Sequence, residues 1–185
     1  DVTLHRLTHF VLCPPVKQSF ESIFNAPTIV KILMAELGPP HQLVAVNYDG
    51  VTRTSQKAEV IGGTDMVEHT MQNYMGQTDI RLGDELTLKQ AFELALLTWA
   101  VGRTASSDTE YGFALDPDRG ESDQESEVED FSTDELIGFV RAELEENHVE
   151  ASILQISKRS KSKFRRLTAD EVEDMMPLDS DKAQN

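Results

Sequence analysis

Two spacings of apolar residues alternate along this chain. Where they fall at every second position they mark strands with one face buried. Where they fall three and four apart they mark helix faces. Residues 2–12 and 16–24 read as helical pieces. Pro14-Pro15 stands between them and should break or kink the run, because proline lacks the amide donor and clashes with the preceding turn. TIVKILMAEL, 28–37, is β-branched and apolar and predicts a buried strand. HQLVAVNYDG, 41–50, sets Leu43, Ala45 and Asn47 against Gln42, Val44, Val46 and Tyr48. That alternation predicts a second strand, joined to the first by Gly38-Pro39-Pro40. Asp49-Gly50 is a tight-turn pair. A third strand is expected at about 57–61, ending at Gly62-Gly63, so that the three form an antiparallel meander.

Helical spacing then takes over. Thr64 or Asp65 caps a helix to about Met75, with Met66, Val67, Thr70, Met71 and Tyr74 on one broad face. Thr87 is the expected N-cap of LKQAFELALLTWAV, where Leu88, Ala91, Phe92, Ala95, Leu96 and Trp99 form a face that should pack on a sheet. Ser132 with Glu135 spells a capping box for a helix over 133–146. HVEASILQI, 148–156, alternates Val149, Ala151 and Ile153 against Glu150, Ser152 and Leu154, and predicts a strand whose hairpin partner is Phe164 to Leu167. Thr168 with Glu171 spells a second capping box, for a last helix over 169–176. Strands, then helices, then strands again predict an α+β layered fold rather than a parallel dinucleotide-binding sheet.

Charge changes the picture in one region. The 185 residues hold 33 acidic and 17 basic side chains, a formal net charge of −16. Such a balance argues against non-specific binding to nucleic acid or anionic membranes. From Asp116 to Glu150 there are 14 acidic residues against two basic ones. Residues 103–131 are therefore read as a flexible acidic insert, and the ordinary account is a solvated loop. The tail after Met176 is polar and is expected to be disordered. The longest apolar stretch, Leu94 to Gly102, is about half of what a membrane span needs and is interrupted by Thr98. The single Cys13 cannot form an internal disulfide, and a lone thiol fits the cytoplasm. The opening DVTLHRLTHF has neither Met nor a signal-peptide pattern, and reads as a cut through a longer protein.

Chemistry is sparse. There is no G-x-S-x-G elbow and no phosphate-binding G-x-x-x-x-G-K-[ST] loop. Gly62-Gly63-Thr64 lies between strand and helix, where amides could hold an anion. Asp65 and Glu68 in the following turn would repel one, which leaves a structural turn. His5 and His9, four apart, could share a helix face and bind metal, but no third ligand has suitable spacing. Cys13 is read as inert. Lys158, Arg159, Lys161, Lys163, Arg165 and Arg166 form a basic cluster whose one aromatic is Phe164. Nucleic-acid binding would ask for more interleaved aromatics, and an exposed link between secondary-structure elements is the simpler account. These residues assign no catalytic, cofactor-binding or metal-ligating position.

The stretches LVAVNYDG, EVIGGTD, TLKQAFELAL and VEASILQISKRSKSKFRRLT, in that order, resemble the alpha-type subunits of bacterial, actinobacterial-type proteasomes. The matching positions are Tyr48-Asp49-Gly50, Gly62-Gly63-Thr64 and Arg165-Arg166-Leu167-Thr168, and the resemblance spans 28–102 and 148–176. It implies a four-layer αββα N-terminal-nucleophile hydrolase sandwich, incomplete at the N-terminus. In that frame 1–102 and 148–176 belong to the alpha-type domain, 103–147 is an acidic insert with one helix, and 177–185 is a disordered tail. The family's N-terminal portion has no counterpart here, and Pro14-Pro15 stands where the family has a continuous helix. The resemblance further implies a non-catalytic ring subunit. Its partners would be other alpha-type subunits, catalytic beta-type subunits, an ATPase activator ring and unfolded protein substrates. Two alternatives stay open: a beta-type or other N-terminal-nucleophile hydrolase whose nucleophile lies upstream, and an acidic protein-interaction module. Sheets lacking members would leave unpaired edges, so the isolated chain is expected to aggregate.

Overall fold

The computed structural model describes residues 3–24, 26–77, 86–112, 132–155 and 162–177. They divide into two compact units. The first runs to Ile61 and takes in Leu154 and Gln155; the second holds the other described residues from Gly62 onward.

The first unit opens with Thr3, whose Oγ1 accepts the Arg6 amide and starts α1 (Leu4–Arg6). The helix widens into a π-helical segment, Leu7–Leu12, and returns to α geometry as α2 (Cys13–Glu21). The run expected to break or kink at Pro14-Pro15 is not broken there. The two prolines lie in the first turn of α2, where amides have no acceptor within their own helix. Ahead of them the Cys13 amide bonds five residues back, to the Thr8 carbonyl, which opens the turn in front of the rings. Leu4 packs with Val44 and Val46, surrounded by Ile32, Met34 and Cys13. Glu36 Oε1 accepts the Leu4 amide at 3.2 Å, tying the start of the helix to the sheet.

That sheet is an antiparallel meander in the order β1 (Ile32–Glu36), β2 (Gln42–Val46), β3 (Thr52–Ser55). β1 and β2 fall inside their expected runs. The third strand does not lie at 57–61. The Gly50 amide donates to the Asn47 carbonyl and the Asn47 amide to the Val51 carbonyl, so the chain turns back at once. Pairing resumes with Thr52 opposite Val46. Thr-Arg-Thr-Ser carries no apolar alternation, and it pairs as one of the two outer strands of this sheet. Residues 57–61 are irregular and are held by Arg53, whose Nη2 donates to Glu59 Oε1 (3.2 Å) and to the Val60 carbonyl (3.0 Å). Gly50 takes φ +81°, and a Cβ there would meet Lys17 Cβ at 2.9 Å. Backbone conformation and space both demand glycine at this turn.

The second unit contains α3 (Asp65–Gln77), α4 (Leu88–Gly112), α5 (Thr133–Leu144), all but the last residue of β4 (Ser152–Leu154), β5 (Phe164–Arg166) and α6 (Ala169–Met175). β4 and β5 neighbour each other in a two-stranded sheet. Both are shorter than expected. The core joins Phe92, Leu96, Leu97, Ala100 and Val101 of α4 to Leu136, Ile137 and Val140 of α5 and to Val172 and Met175 of α6. Each large apolar side chain buried in this way contributes about 1.5–3 kcal/mol.

α4 departs from expectation in three respects. It continues to Gly112, through the first ten residues read as insert. Its buried faces meet helices α3, α5 and α6 instead of a sheet. Leu88, Ala91 and Ala95 are exposed, whereas Leu94, Leu97 and Thr98 are buried, because the helix is covered on more than one side. A Cβ at Gly102 would lie 2.6 Å from Met71 Sδ, so α3 and α4 cross where there is no side chain. On α3 the inner face is Val67, Glu68, Met71 and Met75, while Met66 points outward. At the far end Pro177 is buried and its carbonyl accepts from Arg141 Nη2 at 3.1 Å. Packing therefore reaches one residue past Met176. The remainder of the acidic stretch (113–131), the basic residues 158, 159 and 161, and the tail 178–185 lie outside the described residues.

Thr98 marks a weak point in this core. Its hydroxyl is buried without a hydrogen-bond partner, whereas Thr104 on the same helix donates to the Ala100 and Val101 carbonyls. Thr98→Val should stabilise the protein by about 1 kcal/mol, by removing an unsatisfied polar group. Calorimetry should read this as a Tm rise of about 2–4 °C; a fall in Tm would show that the hydroxyl is bonded.

Candidate functional site

The junction between the two units' sequences, Gly62-Gly63-Thr64, is the first place where an anion could sit. Two of the amides at this turn, those of Gly62 and Val67, are already committed. Thr64 Oγ1 accepts the Val67 amide at 3.2 Å, so Thr64 is the cap of α3. The Gly62 amide donates to Glu68 Oε1 at 3.0 Å. Glu68 is only 2% exposed, so the helix brings its own carboxylate to the spot that a phosphate would take. Gly62 is needed for the approach: a Cβ would lie 3.0 Å from Val67 Cγ1 and 3.2 Å from Glu68 Cγ. The sequence marked the turn as structural but not the burial of Glu68, for which the one signal is a carboxylate set between Val67 and Met71 on the inner face.

Of the basic cluster, Lys163, Arg165 and Arg166 lie among the described residues. Arg165 Nη1 meets Glu171 Oε2 at 2.8 Å, and Arg166 Nη2 meets Glu150 Oε2 at 2.6 Å. Both guanidinium groups thus face carboxylates of the same chain, which opposes their use on phosphates. Glu171 also accepts the Thr168 amide at 2.9 Å and closes the capping box of α6. The Arg165 hydrogen bond first, and the Thr168 amide second, hold the Glu171 carboxyl down at about 2, against an ordinary 4.5. Reciprocally, the bond to Glu171 raises Arg165 further.

His5 and His9 do share one helical turn, with ring centroids 4.4 Å apart at 50°, and both are exposed. Among the described residues no three His, Cys, Asp or Glu side chains gather in a metal-ligating group. Cys13 is partly buried at the start of α2, and desolvation pushes its thiol up, away from the reactive thiolate. A cleft of about 190 Å³ lies between the end of α5 and the end of α6, lined by Val140, Leu144 and Met176 with Arg141 and Glu145 beside them. It offers apolar wall and no convergent polar groups. None of these places assembles a nucleophile, a base and a stabilised oxyanion.

The first unit carries a different kind of feature. Phe10, Val11, Ile23, Phe24 and Ile29 are all more than half exposed, and Phe24 is 91% exposed. Phe20 is partly sheltered against the Tyr48 ring, with centroids 5.4 Å apart. Large apolar side chains left in water favour association where they adjoin one another. No helix among the described residues is long and apolar enough to cross a membrane.

Three outcomes follow from these contacts. Glu68→Ala strands the Gly62 amide and should lower unfolding stability by about 1–3 kcal/mol, with Glu68→Gln recovering most of it; equal losses in denaturant titrations would separate the charge from the hydrogen bond. Because the Glu171 pKa is depressed, its stabilisation is full above about 4.5 and fades as the pH falls towards 2. A carbon-detected NMR titration should place its midpoint near 2 in the native protein and closer to the ordinary carboxylate value in Arg165→Ala; one common midpoint would dismiss the ion pair. Phe10→Ser combined with Phe24→Ser should reduce concentration-dependent light scattering without lowering Tm.

Compared with models of protein families, with curated proteins and with solved structures, the chain has no match.

Proposed function

We propose that this chain is a non-catalytic alpha-type ring subunit of a bacterial proteasome core particle, working in the cytoplasm in protein degradation. The observation that supports this reading is the order in which the resembling motifs occupy turns and caps. Tyr48-Asp49-Gly50 forms the turn between β2 and β3, Gly62-Gly63-Thr64 leads into α3, and Arg165-Arg166-Leu167-Thr168 runs from β5 into the cap of α6. One departure from the family is also softened, since the helical backbone continues through Pro14-Pro15. The strand ahead of Gly-Gly-Thr ends earlier than the resemblance implies, at Ser55.

In this reading the subunit works by exclusion. Neighbouring copies bury apolar surface against one another and leave a narrow axial opening. Folded proteins are too wide to enter, and unfolded chains thread through to threonine nucleophiles on beta-type subunits. An ATPase ring would dock on the outer side and feed substrates in. The exposed apolar side chains of the first unit suit a subunit that assembles, and the carboxylate-bound arginines suit one that performs no phosphate chemistry. The proposed fold is the layered αββα sandwich, with the two small sheets as parts of its sheet layers.

Co-expression with a threonine-type beta subunit tests the proposal. Native mass spectrometry and electron microscopy should find both chains in one ring-stacked particle, whose peptidase activity is lost on blocking the beta threonine. If the chain stays apart from the beta subunit, or hydrolyses peptides alone, the proposal is wrong.

A further inference from the structure

We draw no further inference here: the strongest candidate, the exposed apolar surface of the first unit around Phe10, Val11, Ile23, Phe24 and Ile29, carries nothing because nothing in the structure shows what covers it.

Discussion

Every long helix of the second unit begins with a side chain from its own first turn folded back onto an amide ahead of it. Glu68 takes the Gly62 amide, Gln90 that of Thr87, Glu135 that of Ser132 and Glu171 that of Thr168. In each case a Thr or Ser hydroxyl answers in the forward direction, onto the Val67, Gln90, Glu135 or Glu171 amide. A chain with a net charge of −16 has an electrostatic problem, and helix N-termini are among the few places where negative charge lowers the energy. Each reciprocal cap is worth roughly 0.5–2 kcal/mol. Three of the four caps are solvent-facing. The one at Glu68 is sealed, and a sealed carboxylate is tolerable only while its hydrogen bonds are kept. Gly62 is therefore bound to Glu68 twice, by its amide and by its missing side chain.

The caps at Ser132 and Thr168 were legible in the sequence because they depend on residues three apart and on nothing else. The Asp49-Gly50 turn was legible for the same reason. Features decided by distant parts of the chain were not. Ala95 reads as inward by spacing from Phe92 and Leu96, yet α4 lies among three helices, and the side chains that fill the gaps include Leu94, Leu97 and Thr98. A one-sided helix has a period to read, whereas a helix covered on several sides loses it. β3 escaped because an outer strand can be wholly polar and still pair.

The candidate sites divide along the same line. The spacing of Thr168 and Glu171 already places a carboxylate at the start of α6, and Arg165, three residues before the cap, falls within its reach. The partner of Arg166 could not be read in the same way, because Glu150 comes alongside only when the β4 and β5 segments meet. The histidine pair was legible as a pair, since four residues is one helical turn in either α or π geometry.

The π-helical segment at Leu7–Leu12 has a consequence for the length of the N-terminal helix. A π turn accommodates an additional residue in the hydrogen-bonded ring. Deleting one residue there would draw the backbone towards α geometry ahead of α2, where Pro14 and Pro15 have no amides to donate and their rings would crowd the preceding carbonyls. It would also rotate everything upstream by about 100°. Leu4 would swing off Val44 and Val46, and its amide would leave Glu36. A single residue in the π turn thus serves two fits at once, room for the proline rings and the seat of Leu4 against Val44 and Val46.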